Sequence, residues 1–273
     1  MDAELFSLAV QAAETVEREK GIGTLSEGLI HSAIKYYYQP DPRLHEMKVC
    51  GCVCDALADR VALGKTVIEV QTASFKYLSH KLARYFADGG CELKQEISFD
   101  EIVSSGVKES AFPGSVTVIY PTESAKQIVW IDPVSGEMKE GAKRKNTFAP
   151  CRALWELYSL RKYIGKPGFK FVILGIDVIE KRLLCGKRSA DGKKGSRRLE
   201  RIPLALKEEI LLCERSDYAR LLPQGLGEGF TAAEFGRLAK LRGKRAWGAL
   251  SMLMELGVLS REKVGRGYLY YLK

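Results

Sequence analysis

The sequence predicts an α/β protein, in which a mixed β-sheet flanked by helices precedes a small C-terminal unit of two helices and a β-hairpin. Two observations support this class. Short apolar segments rich in β-branched residues alternate with helical patterns through most of the chain, in the order expected of an α/β core. Near the C-terminus, two helical patterns precede two short strands joined by a glycine turn at residues 265–267. The length of 273 residues suits two domains, which we place at residues 1–205 and 206–273.

The predicted elements of the larger domain follow from apolar periodicity. An amphipathic helix runs to Arg18, and a second helix begins at Thr24 or Ser26. Its Leu29, Ile30, Ala33 and Ile34 form the buried side. Gly64 suits a turn between the first two strands. The remaining predictions are strands at residues 48–54, 66–72, 115–121, 127–132 and 197–203, a long strand or a hairpin at residues 169–184, and helices at residues 75–86 and 150–163.

The C-terminal unit carries recognisable helix start and stop signals. Thr231 is predicted to cap a helix, with Glu234 at the capping-box position. A second helix spans residues 244–256 and ends at Gly257, which suits the left-handed C′ position. Residues 207–222 are predicted to form a connecting helix or a pair of short helices.

Composition favours a folded cytoplasmic protein. The hydrophobic fraction of 46% supports a sizeable core. No apolar run is long enough to span a membrane, and the acidic N-terminus is unlike a signal peptide. The seven cysteines include no C-x-x-C pair, so we expect free cysteines in a reducing compartment. Cys50, Cys52 and Cys54 alternate, which would place them on one face of a strand.

The positive charge is local. The chain has a net charge of +9, and residues 181–201 hold nine basic residues against Asp191 and Glu200. A local basic segment fits a phosphate backbone as partner. The alternative is an ordinary solvated loop.

Two carboxylates point to a metal site. Asp55 follows the predicted strand at residues 48–54, and Glu69, Val70 and Gln71 lie in the next one. A strand pair joined at Gly64 would bring Asp55 and Glu69 together at one edge of the sheet. Two such carboxylates can hold Mg²⁺ or Mn²⁺, with a backbone carbonyl and waters completing the coordination.

These residues resemble the motif of the PD-(D/E)XK nuclease superfamily, in which an Asp is followed on the next strand by an E-x-K triplet. The resemblance implies a restriction-endonuclease-like fold, with Asp55 and Glu69 as metal ligands and Gln71 orienting the attacking water. Gln71 replaces the usual lysine and can act neither as a base nor as a cation. Some members of the superfamily move that lysine onto the following helix, which makes Lys76 and Lys81 candidates. The alternative, which we favour for each of them taken singly, is an ordinary surface lysine.

Glu27 matches a further position of the superfamily, a glutamate on the helix before the first strand that points into the site. The resemblance therefore adds Glu27 to the catalytic residues. The alternative is an ordinary helix carboxylate paired with His31 or Lys35, which lie on the same helix face.

The C-terminal order of helix, turn, helix and hairpin resembles a winged helix. In helix-turn-helix modules the start of the second helix contacts the bases. Here that start carries Arg242, Lys244, Arg245 and Trp247, and the hairpin tip offers Lys263 and Arg266. Winged helices also dock proteins, and the basic residues favour nucleic acid over docking.

Together these patterns predict a Mg²⁺-dependent endonuclease, a hydrolase that cleaves phosphodiester bonds of DNA, with RNA as the second candidate. Cutting both strands of a duplex needs two sites, which favours a homodimer. The alternative is an inactive nuclease-fold protein that binds nucleic acid or regulates another activity. The remaining residues predicted to bind phosphates are Lys143, Arg144, Lys145, Lys193, Lys194, Arg197 and Arg198.

Overall fold

The protein was analysed as a computed structural model, and it has a mixed α/β fold. The residues that the structure describes are 2–19, 28–72, 75, 77–87, 98–144, 148–186 and 195–273, the side chains of residues 17–19 excepted. The seven helices are α1 (Ala3–Glu19), α2 (Leu29–Tyr38), α3 (Leu78–Tyr85), α4 (Phe99–Ser105), α5 (Ala153–Leu157), α6 (Ala232–Leu238) and α7 (Lys244–Glu255) among these residues.

Twelve strands lie in the same described ranges. They are β1 (Lys48–Val49), β2 (Cys52–Val53), β3 (Ala56–Arg60), β4 (Gly64–Val70), β5 (Glu109–Ser110), β6 (Val116–Ile131), β7 (Met138–Glu140), β8 (Phe169–Leu184), β9 (Ser196–Leu212), β10 (Gly229–Thr231), β11 (Leu259–Val264) and β12 (Gly267–Leu272).

The main sheet has six strands and is mixed. Its order is β3-β4-β6-β8-β9, and β7 pairs with part of β6. The pairs β4–β6 and β6–β8 are parallel, whereas β3–β4 and β8–β9 are antiparallel. Two three-stranded sheets, β2-β1-β5 and β10-β12-β11, complete the fold.

Helices cover the main sheet on both faces because alternate strand residues point to opposite sides. Val67, Val118 and Phe171 belong to a core cluster with α3 and α5. Their neighbours Ile68 and Ile119 belong to a second cluster, which packs against α1 and α2. The sheet therefore positions residues at the end of β4 between helices from both layers.

The helix at the N-terminus and the buried side of α2 are confirmed. α1 extends from Ala3 to Glu19, and the four predicted apolar residues of α2 are all buried. α2 begins after Gly28, so the predicted start at Thr24 or Ser26 falls outside the described residues.

The C-terminal elements also follow the prediction. The Thr231 hydroxyl accepts a hydrogen bond from the Glu234 backbone N–H at 3.2 Å, and the Glu234 carboxylate accepts one from the Thr231 backbone N–H at 2.7 Å. α7 ends before Gly257, which has a φ of 77°. β11 and β12 form the expected hairpin.

The C-terminal elements pack tightly against the rest of the chain. The ring of Trp155 in α5 lies against Gly248 in α7, so that a Cβ built on Gly248 would lie 2.5 Å from it. Leu154 and Leu157 of α5 share one hydrophobic cluster with Leu250 and other residues of α7. The unit of α6, α7 and the hairpin is thus docked through apolar contacts.

Several predicted boundaries are wrong. Residues 207–222 were expected to be helical, yet β9 continues to Leu212 and a 3₁₀ helix occupies Arg215–Leu221. The pairing of Phe171 with Leu212 shows why, since cross-strand packing on β8 outweighs local helix propensity. The proposed domain boundary between residues 205 and 206 therefore lies inside a strand.

The predicted strand at residues 48–54 is also wrong. Cys50 and Gly51 have φ values of 49° and 70°, which make a tight turn between β1 and β2. Cys50, Cys52 and Cys54 therefore do not line one face of a strand. Cys50 is disulfide-bonded, which contradicts the expectation of free cysteines for this residue.

Two other regions differ in detail. The two strands expected at residues 115–121 and 127–132 are one long strand, β6, with a bulge between Glu123 and Ala125. The helix expected at residues 150–163 consists of α5 between two short 3₁₀ turns. Among the described helices, none combines the length and apolar character needed to cross a membrane.

Candidate functional site

Asp55 and Glu69 meet at one end of the β3–β4 pair. Asp55 immediately precedes β3, and Glu69 is the last residue but one of β4. Because the two strands are antiparallel, with Ala56 opposite Ile68, the start of β3 lies beside the end of β4. The Val70 backbone N–H donates a hydrogen bond of 2.6 Å to Asp55 Oδ2. The structure thus brings the two carboxylates together, although Asp55 begins a strand instead of ending one.

Glu69 is fully buried, and both of its carboxylate oxygens have partners. The Lys81 ammonium donates to Oε2 at 2.7 Å, and the Tyr85 hydroxyl donates to Oε1 at 2.8 Å. Burial raises the pKa of Glu69 to about 7; Lys81 opposes this rise, and the nearby charge of Asp55 adds to it. Glu69 therefore titrates close to neutral pH.

Lys81 and Tyr85 both lie on α3, four residues apart, and so share one face of the helix. Leu78 and Leu82 anchor α3 in the core. Burial lowers the pKa of Lys81, but the charge of Glu69, its hydrogen bond and the charge of Asp55 act together against burial and leave that pKa raised. The Lys81 side chain is 30% exposed, so it links a buried carboxylate to solvent.

Asp55 has a different environment. Nε2 of His31, on α2, lies 3.2 Å from Asp55 Oδ2. Burial raises the pKa of Asp55, but the hydrogen bond and charge of His31, with the bond from Val70, keep it below its usual value. Asp55 is thus anionic at neutral pH. Lys35, one helical turn further along α2, contacts Glu46 at 3.4 Å, and Glu27 lies outside the described residues.

Gln71 directly follows β4, and its backbone N–H donates to the Ile119 carbonyl at 2.8 Å. The next residue of β6 is Tyr120, whose ring packs on Phe75 and Phe171. Burial and the charge of Glu156 raise the pKa of the Tyr120 hydroxyl, and the charges of Arg152 and Arg245 oppose that rise.

The carboxylates of Asp55 and Glu69 are the kind of oxygen ligand that a divalent cation such as Mg²⁺ prefers. Mg²⁺ is commonly held by one or two carboxylates and keeps several waters, which Asp55 and Glu69 could satisfy. Within the described part of the chain, no group of three or more His, Cys, Asp or Glu side chains could hold a metal ion. Burial raises the pKa of the Cys54 thiol, and the charges of Glu69 and Asp55 add to the rise, so the thiol stays protonated.

The described phosphate-binding candidates that precede the C-terminal unit lie in two places. Lys143 pairs with Asp177, with Nζ 2.8 Å from Oδ2, and the backbone of Arg144 pairs with that of Lys126. Arg197 and Arg198 lie exposed on β9. Lys76, which we considered as a replacement for the missing lysine, and Lys145, Lys193 and Lys194 lie outside the described residues.

The basic residues of the C-terminal unit are exposed as predicted. Arg242, Lys244 and Arg245 stand at or just before the start of α7, and Trp247 is half exposed beside them. An open groove of about 780 Å³ lies between α6 and α7, and Arg237 and Lys240 also line it. Lys263 and Arg266 lie exposed at the tip of the hairpin.

Tyr85 was not predicted as a site residue, although its spacing of four residues from Lys81 indicates that the two side chains share one helix face. A residue four positions after a lysine on the same helix shares its neighbourhood, and a tyrosine there can donate to the same carboxylate. Arg152 and Tyr120 could not be found in this way, because only tertiary packing brings them near the end of β4.

Comparison with known proteins gives a family but no function. No curated protein and no solved structure matches the chain. One family model, described as "Domain of unknown function (DUF8091)", matches residues 28–92 and 100–213. The matched ranges include Asp55, Glu69, Gln71 and Lys81, and they end just after β9. Because the match covers more than half of the sequence, the chain belongs to the DUF8091 family.

Proposed function

We propose that the protein is a metal-dependent nuclease with a restriction-endonuclease-like core and a winged-helix C-terminal unit. One observation carries the proposal: Asp55 and Glu69 meet at the end of β4, and a lysine from the following helix contacts Glu69. This is the arrangement that the PD-(D/E)XK resemblance leads us to expect when the lysine has moved from the position of Gln71 to α3.

Asp55 and Glu69 would hold Mg²⁺ or Mn²⁺. When bound, the ion would activate a water and neutralise charge that develops on the phosphate. His31 keeps Asp55 anionic and fixes its orientation. Lys81 stabilises the ionised form of Glu69 and supplies the positive charge that Gln71 lacks. Gln71, directly after β4, would orient the attacking water through its amide.

The nucleic acid would lie across the basic start of α7. Exposed Arg242, Lys244 and Arg245 can contact phosphates or bases, and Trp247 offers a stacking surface. The proposal requires that a nucleic acid bound at the start of α7 also reaches Gln71. DNA is the first candidate, and RNA the second.

A second candidate function is a binding or regulatory protein without catalysis. It is favoured by the contacts of Glu69, because Lys81 and Tyr85 satisfy both carboxylate oxygens. A buried carboxylate would be costly without such partners, and here no ion is needed to offset that cost. The burial of Glu69 is therefore explained without a metal ion, and it does not by itself favour the nuclease.

Calorimetric titration with Mg²⁺ and Mn²⁺ separates the two candidates. The nuclease proposal expects saturable binding by the wild-type chain and its loss in Asp55→Asn. A matched control is Asp217→Asn, which changes a carboxylate outside this site that accepts hydrogen bonds from the backbone of Cys213 and Glu214. Absence of binding at neutral and mildly alkaline pH would favour the binding protein.

A further inference from the structure

Three strands of the main sheet, β6, β8 and β9, extend well beyond the candidate site. β4 ends at Val70, which pairs with Ile119, yet β6 continues to Ile131 beside β8 and β9. The additional part of β6, residues 120–131, is on the order of 40 Å long at the usual rise of a strand. The arm, as we call it, consists of these residues of β6 together with residues 173–183 of β8 and 197–210 of β9, which pair beside them, and it begins where β4 ends near Asp55 and Glu69.

A network of charged side chains occupies the arm. Glu180 on β8 is fully buried, and its carboxylate contacts Lys126 at 2.5 Å and Arg182 at 2.7 Å. Arg198 on β9 lies 3.6 Å from the same carboxylate. Burial raises the pKa of Glu180, but the bonds from Lys126 and Arg182 lower it to about 2. Glu180 is therefore charged at any physiological pH and holds these cations in place.

A second carboxylate organises the exposed side of the network. Glu123 Oε1 contacts Arg201 Nη2 at 2.7 Å and Lys126 Nζ at 3.3 Å. The Nε of Arg201 is buried and has no hydrogen-bond partner among the described residues. Four cations thus surround two carboxylates in this part of the chain, and Arg198 and Arg201 remain partly exposed.

Such an arrangement is poorly explained by stability alone. Ion pairs that are taken out of water gain little, because the desolvation of each charge offsets their attraction. Charged side chains on an edge strand can prevent pairing with other chains, and β9 is the edge of this sheet. That role, however, does not require cations fixed by buried carboxylates. Fixed cations with spare N–H donors suit phosphate oxygens.

We propose that the arm is a phosphate-binding surface for a nucleic-acid strand, in which Arg198 and Arg201 contact the backbone and Lys126, Glu123 and Glu180 hold them in position. The inference deepens the proposed function because it extends the nucleic-acid surface away from α7. It rests on the nucleic-acid part of that function and not on catalysis. Arginine and lysine contacts of this kind bind backbone without reading sequence.

The test measures binding by the full-length protein, with EDTA present to prevent cleavage. Fluorescence anisotropy of a short labelled single strand and of the matching duplex is recorded between about 50 and 200 mM salt. Arg198→Ala and Arg201→Ala should each weaken binding several-fold and reduce the slope of log affinity against log salt by about one. Thermal unfolding identifies any variant that fails to fold. If Arg201→Ala does not fold, the proposal is judged on Arg198→Ala, because Arg198 is the more exposed residue.

Lys207→Ala is the matched control. Lys207 is an exposed cation on the same strand, outside the network. It should leave both affinity and slope close to wild type. Equal effects of all three variants would mean that only total charge matters, and no effect of Arg198→Ala or Arg201→Ala would mean that the charges protect the strand edge; either result overturns the proposal. Cleavage is scored separately, so a chain that binds through the arm without cutting would refute the nuclease and not the arm.

Discussion

The Lys81 ammonium lies 2.7 Å from the Glu69 carboxylate, although the two residues belong to different elements. Glu69 comes from the end of β4 and Lys81 from the middle of α3. Because Gln71 cannot carry charge, this contact provides the only lysine on Glu69 among the described residues. The proposed chemistry of the site depends on this contact between Lys81 and Glu69.

Lys81→Met should reduce cleavage on the order of a hundredfold, since it removes a cation that stabilises charge and positions Glu69. The measurement is the rate of metal-dependent cleavage at saturating Mg²⁺. Arg84→Met is the matched control, because Arg84 lies three residues later on α3 and its guanidinium donates to the exposed Gly51 carbonyl at 3.4 Å. Equal losses in both variants would argue against a specific role for Lys81.

Gln71→Lys should partly restore cleavage to the Lys81→Met variant. The new lysine would follow β4 at the position that holds the cation in the resembled superfamily. Gln71→Ala alone should slow the reaction less than Lys81→Met, since it removes an orienting amide and leaves the charge. A double variant as inactive as Lys81→Met, but folded, would contradict the idea that the lysine has moved between these positions.

Glu69 should make the stability of the protein depend on pH. Its pKa rises from 4.5 to about 7 on folding, so the folded chain holds the proton more tightly than the unfolded chain. The contribution of Glu69 to stability therefore falls as pH rises from about 4.5 to about 7, by roughly 3 kcal/mol in all. Urea unfolding of wild type and Glu69→Gln across this window measures the difference. A difference that stays constant with pH would show that Glu69 does not titrate there.

Gly248→Ala tests the contact between α5 and α7. Alanine should stabilise a helix by up to about 1 kcal/mol, but its Cβ would lie 2.5 Å from the Trp155 ring. Overpacking costs about 1–3 kcal/mol, so the net effect should be destabilising. In a Trp155→Ala background the clash is absent, and the same change should stabilise. Urea unfolding of the wild type, the two single variants and the double variant measures the coupling free energy between the two substitutions. Additive effects would mean that α7 does not pack on Trp155.

Arg242→Ala, Lys244→Ala and Arg245→Ala should each weaken nucleic-acid binding and lower the salt slope by about one. These residues stand exposed at the start of α7. Full-length variants are preferable to truncation after residue 205, which would cut β9. Unchanged slopes in all three, measured against Lys207→Ala, would favour protein docking by the C-terminal unit.

Local signals in the sequence predicted some elements well. The capping box at Thr231 and Glu234 and the C-terminal hairpin are each determined by residues close in the chain. The apolar run at residues 169–184 indicated a strand or a hairpin, and the structure forms the single strand β8. Residues 207–212 could not be assigned in the same way, because their pairing with β8 overrides a helical pattern.

The candidate site likewise combines contacts that local sequence can indicate with contacts that depend on the tertiary fold. The proximity of Asp55 and Glu69 follows from a hairpin, which local sequence can indicate. The contact of His31 with Asp55 joins α2 to the sheet across the chain, and the network around Glu180 depends on the register of three strands. Such contacts require the tertiary fold, and no spacing in the sequence reveals them.

The most direct test is cleavage of single- and double-stranded DNA and RNA by the wild-type chain and by Asp55→Asn, with Mg²⁺, Mn²⁺ or EDTA. The account predicts cleavage by the wild type that needs the metal, and its loss in Asp55→Asn with binding retained. Equal cleavage by both chains, or none by a folded wild type that binds nucleic acid, would contradict the proposed nuclease site.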